Sequence, residues 1–238
     1  MSFQEIIRQG CSTWNISLPE GALQGLEQYN QLLLEKNKVM NLTAITQPEE
    51  MAVRHMLDCL FLLSCGKFEG KKIVDIGSGG GFPGLPLQIA RPSAQFLLLD
   101  SRKKRVDFLA EVCQTMALPA QTLAARAEEA ARQKELREQF DMAVSRAVAP
   151  LNILCELCLP FVRPGGLFLA MKSDNPAAEQ EIAQAQSAVR RLGGRLAEQK
   201  RYALPGAETA HQVVVVKKEK PAPAAYPRRY AKIESAPL

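Results

Sequence analysis

The feature that most constrains the fold is the glycine-rich run KIVDIGSGGGFPG at residues 72–84. A short apolar segment leads into a turn in which four of the five residues 77–81 are glycine. Glycine adopts positive φ angles and lets the backbone approach a ligand with no Cβ in the way. A strand that passes through such a turn into a helix forms a nucleotide-type pocket. The run therefore predicts a nucleotide-type site within a βα unit.

Two cofactors compete for this loop. Gly79, Gly81 and Gly84 fit the dinucleotide pattern G-x-G-x-x-G, which is a weak signal alone. Asp75, two residues before the G-x-G-x-G run that Gly77 begins, is instead typical of class I S-adenosylmethionine (SAM) methyltransferases. SAM carries an ammonium group and a sulfonium charge, which an acid at the turn can attract. We therefore expect SAM to contact Asp75, Gly77 and Gly79, with an NAD-dependent oxidoreductase as the alternative.

Three further loops are expected at the same edge of the sheet, where doubly wound proteins bind ligands. Asp100 ends an apolar segment about 20 residues after the glycine loop, where an acid binds the ribose hydroxyls. Ser101 is expected to cap the next helix. Residues 125–128 follow the third strand, and their backbone and the Glu128 carboxylate can frame an adenine. Arg146 follows the fourth strand, where it can donate to guanine O6 or N7, or bind a phosphate or the SAM carboxylate.

The alternation of strand and helix patterns after residue 70 predicts a Rossmann-like, doubly wound α/β sheet. Strands are expected at 72–76, 95–99, 120–124, 140–145, 166–172, 196–202 and 211–217, and helices near 84–91, 101–116, 127–138, 150–161 and 176–192. The last two strands lie too close in sequence for an intervening helix, so they are expected to form a C-terminal antiparallel hairpin, as in class I methyltransferases. We expect an N-terminal helical cap (1–66), a SAM-binding core (67–218) and a basic C-terminal tail (219–238).

Composition excludes several classes of protein. The chain has no apolar run of about 18 residues, which argues against a membrane span. Its first residues lack the pattern of a signal peptide. The six cysteines have no disulfide-framework spacing, and with only two histidines a metal site is not expected. This cysteine usage indicates a reducing cytoplasm.

The loop after the fourth strand is informative through the motifs that it lacks. It has no Asn/Asp-Pro-Pro-aromatic motif, which is usual in enzymes that methylate the exocyclic amine of adenine. It also has no cysteine in a Pro-Cys context, which enzymes that methylate cytosine at C5 need as a nucleophile. No Lys-Asp-Lys-Glu set for ribose hydroxyls can be assembled. These absences favour a target atom that needs no general base, and guanine N7 is such an atom. Catalysis would then depend on approach and alignment.

Basic residues predict an RNA-binding surface. The net charge is +5. Lysine and arginine residues are concentrated at 217–232, a segment that also contains two tyrosines. Such a segment suits a phosphate backbone with stackable bases, although a solvated tail has the same composition. We expect Arg54, Lys172, Arg228 and Arg229 to form one surface if the cap and the tail both fold back toward the strand ends. His55 can stack on a base or be structural.

Five segments together resemble the RsmG (GidB) family, the bacterial small-subunit ribosomal RNA guanine-N7 methyltransferases. They are NLTAI at 41–45, RHMLDCL at 54–60, DIGSGGGFPG at 75–84, SRA at 145–147 and YPRRYAKI at 226–233. The glycine loop alone is generic, whereas the N-terminal and C-terminal motifs are specific.

The resemblance implies methylation of one guanine in 16S rRNA, free or in the small subunit, in the cytoplasm. It also implies SAM contacts at Gly77, Phe82, Ala127, Glu128 and Arg146. A small-molecule SAM methyltransferase and a non-catalytic RNA-binding protein with the same fold stay as alternatives.

Overall fold

The computed structural model describes residues 1–207 and 209–238. Its strands are β1 (Lys72–Ile76), β2 (Gln95–Asp100), β3 (Gln121–Ala124), β4 (Phe140–Arg146), β5 (Val162–Ser173), β6 (Gly194–Ala203) and β7 (Ala210–Lys218). They form one sheet in the order β3-β2-β1-β4-β5-β7-β6. Strands β1 to β5 are parallel, and β7 lies antiparallel between β5 and β6. This order and the closing hairpin confirm the predicted fold class.

Helices cover both faces of the sheet and precede it. They are α1 (Phe3–Thr13), α2 (Ala22–Met40), α3 (Pro48–Met51), α4 (Asp58–Leu60), α5 (Gly84–Ala90), α6 (Lys103–Thr115), α7 (Ala127–Ala130), α8 (Leu151–Cys158), α9 (Pro176–Arg191) and α10 (Tyr230–Ser235). A π-helical segment (Ala52–Leu57) joins α3 to α4, and a 3₁₀ turn (Phe61–Ser64) follows α4. Within the described ranges, none of the helices combines the length and the apolar character that a membrane crossing needs.

The sheet reverses its winding direction at β1. Its neighbours are β2 on one side and β4 on the other, with Asp75 paired to Leu98 and to Val144. The carboxyl ends of β1, β2 and β4 therefore meet at one edge, where open α/β sheets bind their ligands. The strands at this position are buried on both faces, which explains their nearly continuous apolar sequence.

The N-terminal helices share the hydrophobic cluster of one sheet face. Leu26 of α2 and Met56 of the π-helical segment are fully buried together with Leu98 of β2. The hydroxyl of Tyr29, also on α2, donates a 2.7 Å hydrogen bond to the Gly80 carbonyl of the glycine loop. The predicted boundary at residue 66 stays a prediction, since the apolar core is continuous across it.

The C-terminal segment packs on the opposite face. Ile233 of α10 is fully buried in one cluster with Leu154 of α8, Ile182 of α9 and Val214 of β7. This short helix thus packs against α8 on this face of the sheet, and does not extend away from it. Burial of an isoleucine side chain contributes about 1.5–3 kcal/mol to the docking of the segment.

Two predicted elements differ from the structure. The helix predicted at 127–138 is wrong, because α7 ends at Ala130 and turns follow. Leu136 is the only apolar residue of 132–138, so a longer helix would have no apolar stripe to bury. Strand β5 begins at Val162, before the predicted residue 166, because Val162 pairs with Phe140 ahead of a register shift.

Candidate cofactor and substrate site

A cavity of about 280 Å³ lies at the carboxyl ends of β1 to β4. The four loops predicted to meet there all line it, through Gly77, Asp100, Arg126–Glu128 and Ala147–Ala149 in chain order. Gly79, Phe82 and Arg146, which were also predicted to contact SAM, do not line it. The cavity is therefore built from the segments that the sequence analysis assigned to SAM.

The glycine loop has the backbone shape that its composition predicts. Gly77 has φ +75°, and Gly81 has φ +113°. A Cβ on Gly77 would collide with the Val148 side chain, and a Cβ on Gly81 would lie 2.7 Å from the Tyr29 hydroxyl. Both positions thus require glycine, for conformation and for space.

Asp100 fixes the glycine loop from the neighbouring strand. Its Oδ2 accepts a 3.0 Å hydrogen bond from the Gly79 N–H, and its Oδ1 accepts one of 2.8 Å from the Arg102 N–H. The carboxylate also borders the cavity, within 3.5 Å of the Arg105 guanidinium. The predicted helix cap at Ser101 is wrong. The residue at the N-cap position of α6 is Arg102, and the N–H of Arg102 donates to Asp100. The ribose contact of Asp100 stays a prediction.

Asp75 is fully buried and does not line the cavity. Its Oδ2 accepts a 2.9 Å hydrogen bond from the Gly84 N–H at the start of α5. Its Oδ1 has no hydrogen-bond partner among the described residues. Burial raises the pKa of this carboxyl to about 7. Asp75 holds the glycine turn against α5, and its attraction for the cationic end of SAM stays a prediction.

Arg146 joins β4 to the N-terminal helices. Its Nη1 donates to the Asp58 carboxylate at 3.0 Å and to the Arg54 carbonyl at 3.2 Å, and its Nη2 donates to His55 Nδ1 at 3.0 Å. The guanidinium also lies 4.7 Å from the centre of the Phe82 ring. The side chain is only 16% exposed, so a paired carboxylate is needed to stabilise its charge.

The hydrogen bonds of His55 define its tautomer. Arginine can only donate, so Nδ1 accepts and the ring proton is on Nε2, which lies 2.8 Å from Thr43 Oγ1. Burial and the nearby Arg146 lower the pKa of His55 to about 3, which keeps the ring neutral. The ring also stacks on Phe82, with centroids 4.4 Å apart. These contacts favour a structural role, and base stacking by His55 stays a prediction.

Two residues that orient Arg146, Asp58 and Tyr202, were not predicted as site residues. Asp58 Oδ1 accepts a 2.6 Å hydrogen bond from the Tyr202 hydroxyl of β6, and His211 Nδ1 lies 3.6 Å from the same oxygen. Asp58 stands within the motif quoted at 54–60, which was the available signal. Tyr202 carried no signal, because its partner is far away in the chain.

A second cavity of about 390 Å³ adjoins the first. Arg54, Arg146, Lys172 and Tyr202 line it, and Ala147 borders both cavities. Ala147 has φ +55°, a conformation that is strained for a residue with a Cβ. The loop after β4 therefore separates a nucleotide-type cavity from a cavity rich in cations.

The four basic residues predicted to bind RNA do not share one cavity. Arg54 is exposed and lies with Lys172 at the second cavity, where Lys172 also pairs with Glu181 at 2.6 Å. Arg228 binds the buried Glu156, whereas the neighbouring Arg229 is exposed. RNA binding by all four stays a prediction. The described part of the chain holds no group of three metal-ligating side chains.

The sheet order, the antiparallel seventh strand, the glycine loop and the acid at the end of β2 define a class I SAM-dependent methyltransferase. The model of one family, rRNA small subunit methyltransferase G (GidB), matches residues 22–201. The chain belongs to this family.

Full-length relatives agree with the family match. The chain is 41% identical over 241 residues to the ribosomal RNA small subunit methyltransferase G of Alkaliphilus oremlandii, covering 100% of both chains. It is 42% identical over 236 residues to the protein of that name from Thermoanaerobacter sp. (strain X514), covering 98% of both chains.

Solved structures resemble the chain in fold. The branched-chain polyamine synthase C9 mutein from Thermus thermophilus has a TM-score of 0.62 at 15% identity, over 87% of this chain and 66% of that one. TYW2 from M. jannaschii, in complex with AdoMet, has a TM-score of 0.50 at 17% identity, over 62% of this chain and 68% of that one. At these identities the likeness extends to the fold only.

Proposed function

We propose that this protein transfers the methyl group of SAM to N7 of one guanine in 16S rRNA, in the cytoplasm. The observation that carries the proposal is the pair of cavities that meet at Ala147. One fits the cofactor and the other presents cations to an RNA base. The family match and the names of the full-length relatives support ribosomal RNA as the substrate. All six cysteines are free thiols, which suits a reducing compartment.

The residues of the first cavity fit SAM. Asp100 presents a carboxylate to the cavity, as a ribose diol requires. Glu128 is 6% exposed, lines the same cavity and can accept a hydrogen bond from the adenine amino group. Gly77 lines the same cavity, where its backbone can meet the methionine part. When bound, SAM supplies an electrophilic methyl group on a sulfonium centre.

The second cavity suits a guanine that is attacked at N7. N7 has a free lone pair, so the site needs no proton acceptor, and neutral His55 bonds to protein groups through both ring nitrogens. We propose that Arg146 donates to guanine O6, because a donor on N7 would occupy the attacking lone pair. Methylation places a positive charge on the base. Asp58 offsets the charge of Arg146, so the arginine orients the base without strong repulsion.

We also propose that the chain is organised as a cap (1–66), a core (67–218) and a tail (219–238), with RNA approaching over the second cavity. Arg54, exposed at its rim, and Lys172, in its wall and paired with Glu181, are proposed to bind phosphate groups near the target base. Arg229 is exposed at the start of α10 and can contact RNA farther from the base.

The test is to locate the methyl group chemically. 16S rRNA from cells that lack this protein is incubated with the purified protein and methyl-labelled SAM, then treated with borohydride and aniline, which cleave at 7-methylguanosine. We expect cleavage at a single guanine, and much less cleavage with the Asp100→Ala variant when SAM is limiting. Labelled RNA that stays intact would contradict N7 as the target. Absence of label both in the free RNA and in small subunits from the same cells would contradict an rRNA substrate and favour a small-molecule acceptor.

A further inference from the structure

The C-terminal segment contributes a side chain to the cofactor cavity. Tyr230, the first residue of α10, lines it together with Leu157 of α8 and residues 125–128 after β3. The guanidinium of Arg126 lies 5.3 Å from the centre of the Tyr230 ring. Arg126 itself lines the cavity. An aromatic ring, an arginine plane and apolar atoms are thus grouped where the adenine of SAM is expected.

The segment before Tyr230 is fixed by a buried ion pair. Glu156 of α8 is fully buried, and the Arg228 guanidinium binds it with Nε at 2.9 Å and Nη2 at 2.6 Å. The Arg228 backbone N–H also donates to Glu156, at 2.7 Å. A buried carboxylate without a partner is strongly unfavourable, so this pair holds the chain two residues from Tyr230.

Further contacts hold the segment on the turns after α7. Arg137 donates to the carbonyls of Ala222 and Tyr226 at 2.8 Å each, and Arg132 donates to the carbonyl of Pro227. Glu138 accepts a hydrogen bond of 2.6 Å from the Ala222 N–H. These side chains belong to the region where the predicted helix is replaced by turns. The segment is therefore attached at both ends of its path to the cavity.

We propose that Tyr230 is a cofactor-binding residue, whose ring packs against the adenine of SAM. Aromatic rings bind flat bases by stacking, and an arginine on the same ring adds to its planar surface. In this arrangement Glu128 accepts a hydrogen bond from the adenine amino group, and Asp100 accepts hydrogen bonds from the ribose hydroxyls. The basic tail thereby has a role in cofactor binding that is separate from RNA contact. The inference rests on SAM as the cofactor of the proposed function, and does not depend on the methylated atom.

The test measures binding by calorimetry without RNA. SAM and 5′-methylthioadenosine, which keeps the adenine and lacks the amino acid part, are titrated into the full-length protein. Because stacking on an aromatic ring contributes substantially to the binding of a base, Tyr230→Ala should lower the affinity for both ligands about 5- to 100-fold, and by similar factors. Tyr230→Phe, which keeps the ring, should stay within about twofold of the wild type. Lys232→Ala, an exposed position on the same helix, is the matched control and should bind as the wild type.

Melting temperatures separate a contact from a folding defect. We expect Tyr230→Ala and Tyr230→Leu to melt within a few degrees of the wild type while both bind SAM weakly. Wild-type affinity in Tyr230→Ala would overturn the proposal. Full affinity in Tyr230→Leu would also overturn it, because aliphatic bulk would then suffice. These titrations contain no RNA, so their result does not depend on whether the protein methylates RNA. A failure to methylate RNA, in the separate assay above, would contradict the proposed function alone.

Discussion

The carboxylate of Asp58, in the N-terminal helices, lies 3.0 Å from the Arg146 guanidinium at the end of β4. Both side chains are mostly buried, and the second oxygen of Asp58 accepts the Tyr202 hydroxyl. This ion pair connects three parts of the chain that are distant in sequence. It fixes Arg146 beside the second cavity, where the target base is proposed to bind.

Removing Asp58 should impair the reaction more than cofactor binding. Asp58→Ala leaves Arg146 buried without its counter-charge, which should lower the free energy of unfolding by about 3–5 kcal/mol. Asp58→Asn keeps the shape and should cost less, about 1–3 kcal/mol. We expect Asp58→Asn to bind SAM within about threefold of the wild type, since Asp58 does not line that cavity. Its methylation rate at saturating SAM should fall at least about tenfold. An unchanged rate would contradict the orienting role.

Tyr202→Phe is a finer probe of the same network. It removes only the hydroxyl that donates to Asp58 and keeps the ring stacked on Phe61. A hydrogen bond to a charged group contributes about 1.5–3 kcal/mol. We expect a loss of stability in this range and a smaller loss of rate than in Asp58→Asn. Chemical denaturation and single-turnover kinetics measure the two effects. A larger rate loss in Tyr202→Phe would place Tyr202 in direct contact with substrate.

Asp100→Ala should weaken SAM binding by about 1.5–3 kcal/mol, the range for hydrogen bonds to a charged group. The variant loses the proposed ribose contact and also the bonds to the N–H groups of Gly79 and Arg102. Calorimetry with SAM and with free methionine separates these effects. Methionine cannot contact the ribose position, so a ribose role predicts a loss for SAM only. Equal losses for both ligands would assign Asp100 to loop geometry alone.

The buried carboxyl of Asp75 should make stability depend on pH. Its pKa is raised from 3.8 to about 7 by burial, so between these values the folded protein holds a proton that the unfolded chain releases. The stabilising contribution of this group is therefore present below about pH 4 and is lost as the pH rises toward 7. Asp75→Asn, which cannot ionise, should lack this loss. Denaturant titrations of both proteins from pH 4 to pH 8 provide the measurement. Parallel curves would contradict the raised pKa.

The two adjacent tail arginines should behave differently. Arg228→Ala leaves Glu156 buried and unpaired, so we expect a stability loss of about 3–5 kcal/mol, accompanied by weaker SAM binding through Tyr230. Arg229→Ala removes an exposed charge and should leave the melting temperature unchanged. If Arg229 contacts a phosphate, the salt slope of RNA binding should become shallower by about 0.7. A shallower slope at normal stability for Arg228→Ala would instead assign that residue to RNA.

Local patterns were sufficient to predict the sheet. The glycine loop, the acid at position 100 and the short connection between the last two strands each reflect neighbours in sequence, and they predict a doubly wound sheet with a closing hairpin. The contacts around Arg146 could not be derived in this way, because Asp58 and Tyr202 meet it only after folding. The turns after α7 could have been predicted from the scarcity of apolar residues in 132–138, but not the hydrogen bonds from Arg137 to carbonyls of the C-terminal segment.

The position of Tyr230 after all seven strands has a consequence for biosynthesis. Chains fold from their N-terminal end while they are being translated. A chain can therefore complete its sheet and its glycine loop before the residue that we place against the adenine has docked. Such a chain would hold SAM weakly, and its affinity would rise once the final helix docks. Tight cofactor binding would then mark molecules that have left translation and finished folding.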